Sequence, residues 1–179
     1  MLSARLRELV DTGVLAKTSA AGGPVYNLTE AGGELEAVVQ GLGVWGQRWL
    51  SREIGSKELD ADVLLWDMHR RIQRRQLPDQ PIVVRVEVSE RERRTVRYLL
   101  LRKIEVSLCV ENPGFPEELF IRAPLSVLTA WWRGDISLSA ARSAGMSVTG
   151  RRERVRAFPS LFLRYVFAEI PPATTRRDK

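Results

Sequence analysis

Residues 29–50, TEAGGELEAVVQGLGVWGQRWL, constrain this chain more than any other stretch. Leu35, Val38, Leu42, Trp45 and Trp49 recur at alternating spacings of three and four, which places them on one stripe of a helix. Thr29 suits the N-cap, where its hydroxyl accepts an orphan backbone N–H, and Glu30 complements the dipole in the first turn. Gly32, Gly33, Gly41, Gly43 and Gly46 work against the helix, each costing up to about 1 kcal/mol relative to Ala. Such a helix needs tertiary burial, which its apolar side chains can supply at about 1.5 to 3 kcal/mol each. The spacing therefore predicts a helix packed against a partner helix, with glycines allowing close approach and Leu35, Val38, Leu42, Trp45 and Trp49 as a dimer interface. An intradomain core helix is the alternative.

At 179 residues the chain is long enough for one large domain or two small ones. Its 44% hydrophobic and 28% charged residues are those of a globular protein. No apolar run reaches the length of a bilayer span and Met1 is followed by an amphipathic pattern, so a cytoplasmic protein is expected. Cys109 and His69 are the only residues of their kinds, which excludes an intrachain disulfide, a His-paired triad and a two-His metal site. Cys109 reads as a small buried thiol in a strand and His69 as a surface residue. The net charge of +6 is unevenly spread: the stretch to Gly55 is near neutral, and the excess lies in Arg70 to Arg75, Arg91 to Arg97 and Arg151 to Arg156.

Leu2, Leu6, Leu9 and Val10 form a helical stripe that Gly13 stops. VLAK and VYNL around the TSAAGGP loop then read as a two-stranded wing. The run LSARLRELVDTGVLAK, with YNLTEAGGELEAV and Trp45, resembles the C-terminal half of HxlR-type winged-helix transcription regulators. The resemblance rests on Leu2, Ser3, Arg5, Leu6, Leu9, Gly13, Tyr26, Leu28, Thr29 and Gly32, with Lys17 where Arg is common. It implies that residues 2–11 are the DNA-recognition helix and that two or three scaffold helices belong ahead of Met1. It further implies that Ser3, Arg5 and Arg7 face the groove while Lys17 and the Gly22–Gly23 loop touch phosphates. Exposed helix charges without a DNA role are the other reading.

After a break at Ser56 and Lys57, ELDADVLLWDMHRRIQRRQ resumes a helical stripe with Leu64, Leu65, Met68 and Ile72. Arg70, Arg71, Arg74 and Arg75 end it, either as a solvated helix terminus or as phosphate contacts. From Ile82 the period changes to two: IVVRVEV, a charged hairpin loop, TVRYLLLRKIEVSLCV as one long strand, a turn in ENPGFPEE, and LFIRA. Three or four antiparallel strands are expected. Pro124 opens a helix that Gly134 ends, a second short helix stops at Gly145, MSVTG is a last strand, and RRERVRAFPSLFLRYVF closes the fold.

This order resembles the sterol-carrier-protein-2-like domain, through Leu125, Leu128, Trp132, Gly134, Asp135, Gly145 and Gly150. The resemblance implies helices over a curved antiparallel sheet and an apolar tunnel for a lipid or other hydrophobic molecule. The fold class is then α+β: a partial winged helix at 1–55, an SCP2-like ligand-binding domain at 56–172 and a disordered tail at 173–179. Val84, Val86, Val106, Leu108 and Val110 on the sheet, with Leu128, Trp131, Trp132, Met146, Phe158 and Phe162 on the helices, either line that tunnel or fill one another's space as core.

The sequence contains no phosphate loop, nucleophile elbow or metal-ligand spacing. Asp60, Asp62 and Asp67 are commonplace at a helix start, so no catalytic residue, metal or cofactor is expected. The leading expectation is a dimeric DNA-binding regulator sensing a hydrophobic molecule or lipid. Its rival is a lipid carrier whose winged-helix remnant serves only to dimerise.

Overall fold

The computed structural model describes residues 2–20, 22–50, 59–171 and 173. The chain divides into two compact units, one formed by the stretch to Leu50 with the C-terminal end and one within 51–171. The expected break at Ser56 and Lys57, the 55/56 boundary and most of the expected tail lie outside the described residues.

The first unit is helix α1 (Leu2–Asp11), an antiparallel ribbon of β1 (Leu15–Ala20) and β2 (Gly23–Leu28), and helix α2 (Glu30–Trp49). The start of α2 is held by Thr29, whose hydroxyl accepts from the Gly32 N–H at 3.0 Å and donates to the Gly13 carbonyl at 2.6 Å. One side chain thus ties the turn after α1 to the helix after the ribbon. Gly32 completes the clamp: a Cβ there would stand 2.1 Å from the Val14 carbonyl oxygen. Its close approach is to its own chain, whereas Gly33 and Gly41 face open space within this chain. No described residue of α1 is buried, since its Leu2 and Leu9 lie 74% and 40% exposed.

The second unit is a five-stranded sheet with helices on one face. Its elements are α3 (Ala61–Arg70), a short 3₁₀ turn (Arg74–Gln76), β3 (Ile82–Glu90), β4 (Arg93–Leu101), β5 (Val106–Cys109), β6 (Glu117–Pro124), α4 (Leu125–Arg133), α5 (Leu138–Ser143), β7 (Ser147–Gly150) and α6 (Arg152–Leu161). The strand order is β5-β4-β3-β6-β7. The α+β architecture is as expected, with differences of detail. β3 pairs antiparallel with β4 but parallel with β6, so the sheet is mixed and not purely antiparallel.

The expected single strand over 95–110 is two. Arg102 and Glu105 exchange backbone hydrogen bonds at 2.9 and 3.2 Å, closing a tight turn between β4 and β5. The charged hairpin between β3 and β4 is tighter than expected, with only Arg91 and Glu92 between paired Glu90 and Arg93, and Arg91 has φ 52. The helix expected to run to about residue 77 ends at Arg70, and Ile72 then bridges to Phe162 in extended conformation.

Alternation along the strands sorts the sheet into two faces. Ile82, Val84, Val86, Val88, Leu99, Leu101, Leu119 and Ile121 join Leu65, Met68, Leu128, Trp132 and Phe158 from the helices in one core. Gly134 ends α4 at φ 85 and lets the chain lie against it, where a Cβ would stand 2.1 Å from the Ala168 carbonyl oxygen.

Candidate functional site

The residues expected to line a tunnel are mostly core. Val84, Val86, Val106, Leu128, Trp131, Trp132, Met146, Phe158 and Phe162 are buried. Their rings pack on one another: Trp131 stacks on Phe158 at 5.2 Å, and Phe162 sets its edge against Trp132 at 5.8 Å. The interior near them is filled by these side chains, the second of the two alternatives left open by the sequence. Leu108 is half-buried. Val110 is a correction: it lies just past the end of β5 and is 70% exposed, so it cannot line an interior space. Cys109 is also less enclosed than expected, being half-buried.

A groove does open on the helical side. It has a volume of about 500 Å³ and is lined by Val63, Trp66 and Asp67 of α3, Thr129 and Trp132 of α4, and Tyr165. Val63 and Trp66 sit off the Leu64, Leu65, Met68 core stripe and are 67% and 56% exposed. Asp67 accepts the Trp132 indole N–H at 2.8 Å, which satisfies a donor that burial would otherwise strand. Of these residues only Trp132 was singled out from the sequence as ligand-lining. The available signal was Trp66, a large ring on the side of an amphipathic helix that should be polar.

The three aspartates dismissed as a catalytic pair have structural tasks. Asp60 caps α3 by accepting from the Asp62 and Val63 N–H groups, Asp62 pairs with Arg97 at 2.8 Å, and Asp67 holds Trp132. Much of the arginine excess is similarly engaged. Arg71 donates to the Arg164 carbonyl, and Arg151 and Arg154 grip Glu118 at 3.1 and 2.7 Å. On the sheet face away from the core, Arg94, Arg122 and Arg85 surround Glu87, which is 5% exposed. Burial there opposes ionisation, but Arg94 and Arg122 outweigh it and hold the carboxyl below its ordinary 4.5. Glu118 is likewise lowered, chiefly by the Arg154 hydrogen bond.

In the first unit, Ser3, Arg5 and Arg7 are exposed on α1 and Lys17 is exposed on β1. Arg5 forms an ion pair with Glu8 at 2.7 Å, with both side chains largely in solvent, so that pair is readily exchanged for another anion. On α2, Leu35, Val38, Leu42, Trp45 and Trp49 are between 43% and 64% exposed, so within one chain this stripe has no intradomain core to enter.

This geometry is that of a helix, wing and long helix joined in sequence to an α+β unit with a one-sided sheet. Residues 1–54 match the family model of the HxlR-like helix-turn-helix. No curated protein matches the chain. Among solved structures, it is similar to UbiJ-SCP2, a ubiquinone synthesis protein, at 22% identity and TM-score 0.38 over 73% of this chain and 95% of that one. It is also similar to a double mutant of the sec-alkyl sulfatase PisA1, at 12% identity and TM-score 0.47 over 62% of this chain. The chain spans 17% of the sulfatase's length. Among the described residues no helix is long and apolar enough to cross a membrane.

Proposed function

We propose that this protein is a DNA-binding transcription regulator of the HxlR-like type, paired through α2, whose second unit senses a hydrophobic small molecule or lipid. The observation that carries the reading is the exposed apolar stripe of α2, within a segment that matches the HxlR-like model. Two tryptophans and three aliphatic side chains in water are costly, and a second copy of the same helix removes them from it. Ser3, Arg5 and Arg7 then face the DNA groove and Lys17 a phosphate. The ligand seat is the groove between α3 and α4, because the space around Trp131, Phe158 and Phe162 is already filled.

Protein expressed from the genomic reading frame, upstream codons included, is expected to shift its own promoter DNA in a mobility assay. The shift should weaken steeply as salt rises, because phosphate contacts release counterions. No shift at low salt would remove the regulator reading.

A second reading has its own support. With no described residue of α1 buried, the winged-helix segment can serve as a dimerisation module on a lipid-binding protein. Under it, native mass spectrometry of the purified chain would reveal a co-purified lipid, and DNA affinity would be absent in the extended protein as well.

A further inference from the structure

The groove between α3 and α4 holds chemistry that a purely apolar ligand would leave unused. Trp66, Trp132 and Tyr165 supply rings and Val63 supplies methyls, while Asp67 adds a carboxylate among them. The other charges at the groove are already matched. Asp60 has two backbone N–H groups on its carboxylate, and Arg133 lies 3.5 Å from Asp135. Asp67 differs from both, because its partner is the neutral indole of Trp132, and among the described residues no cation pairs with it.

Trp66, next to Asp67 in the chain, exposes 56% of its surface at the same groove. His69 backs its ring at 4.6 Å and meets the Trp66 carbonyl at 2.9 Å. An open indole face beside a carboxylate attracts positive charge twice over, through the ring quadrupole and through the full negative charge. The molecule as a whole carries +6 and repels cations, so a preference for them has to arise locally.

We propose that this groove takes an amphipathic organic cation, a quaternary ammonium, protonated amine or phosphonium centre borne on an apolar body. The proposal rests on the groove being the ligand seat. Trp66 receives the charged centre on its face, Asp67 neutralises it, and Val63, Trp132 and Tyr165 cover the apolar part.

The test compares tetraphenylphosphonium with tetraphenylborate, ions of like size and opposite charge, by calorimetric titration of the full chain. The phosphonium is expected to bind about tenfold or more tightly than the borate, and W66A to lose most of that advantage. D67N should bring the two ions to within about threefold, since the variant keeps an oxygen for the Trp132 indole but not the charge. Equal affinities, or a tighter borate, would overturn the cation assignment and leave an apolar ligand seat standing. Binding of neither ion would overturn both. A phosphonium preference that survives in D67N and W66A would put the site elsewhere and end the assignment to this groove.

Discussion

Two adjacent glycines in α2 do opposite work. At Gly32 a methyl group would meet the Val14 carbonyl at 2.1 Å, whereas at Gly33 it would meet nothing within 4 Å. Gly32→Ala is therefore expected to destabilise the first unit by about 1 to 3 kcal/mol, as overpacking against a fixed backbone does. Gly33→Ala should stabilise it by up to about 1 kcal/mol through helix propensity. Urea unfolding followed by circular dichroism separates the two; a loss of similar size in both variants would mean that the Val14 contact is not the cause. Glu87 and Glu118 make the second unit acid-sensitive. Both carboxyls lie below the ordinary 4.5 in the folded state, so the unfolded chain binds protons first as pH falls. The stability they contribute is complete above that ordinary value and drains away as pH drops through their folded values. Thermal melts between pH 7 and pH 3 should thus fall most below about pH 4.5, and Glu87→Gln should flatten that fall while lowering stability at neutral pH by about 1 to 3 kcal/mol.

At the scale of elements, α2 makes the sharpest prediction. Its stripe residues support no fold contacts that their exposure would reveal, so replacing Trp45 and Trp49 with Lys should leave helical content intact and convert a dimer to a monomer. Light scattering coupled to gel filtration reads the change, and a mass that stays constant would remove the pairing. The ends of elements were the most legible part of the sequence. Thr29 as N-cap, Gly134 and Gly145 as stops and Pro124 before α4 lie where their chemistry puts them. The break between β4 and β5 was hidden because the turn at Lys103 and Ile104 contains no glycine or proline. Ile72 misled for the opposite reason: it keeps the helical spacing of Leu65 and Met68 although the helix has ended, because it is buried from an extended bridge to Phe162. The groove was illegible because its walls come from α3, α4 and Tyr165, which only tertiary packing brings together.

For the whole molecule, net charge is a poor guide to partners. The first unit has Arg5, Arg7, Lys17 and Arg48 against Glu8, Asp11, Glu30, Glu34 and Glu36, and much of the excess elsewhere is spent on internal pairs such as Arg154 with Glu118. If DNA is held by Arg5, Arg7 and Lys17 of two copies, affinity should fall with salt at a logarithmic slope of about −5. Titrations at several salt concentrations measure it, and a much steeper slope would show that arginines of the second unit also touch phosphates. The strand order was equally beyond a reading of periodicity, since alternation tells which face a residue takes but not which strand lies beside it. That β3 runs parallel to β6 has a consequence for biosynthesis. The hairpin of β3 and β4 can close while the chain is still emerging from the ribosome, but the other edge of β3 has no mate until residues 117–124 have been made. In that interval the nascent polypeptide displays a bare, valine-rich border, a stretch that chaperones would cover and that premature termination would leave ready to aggregate.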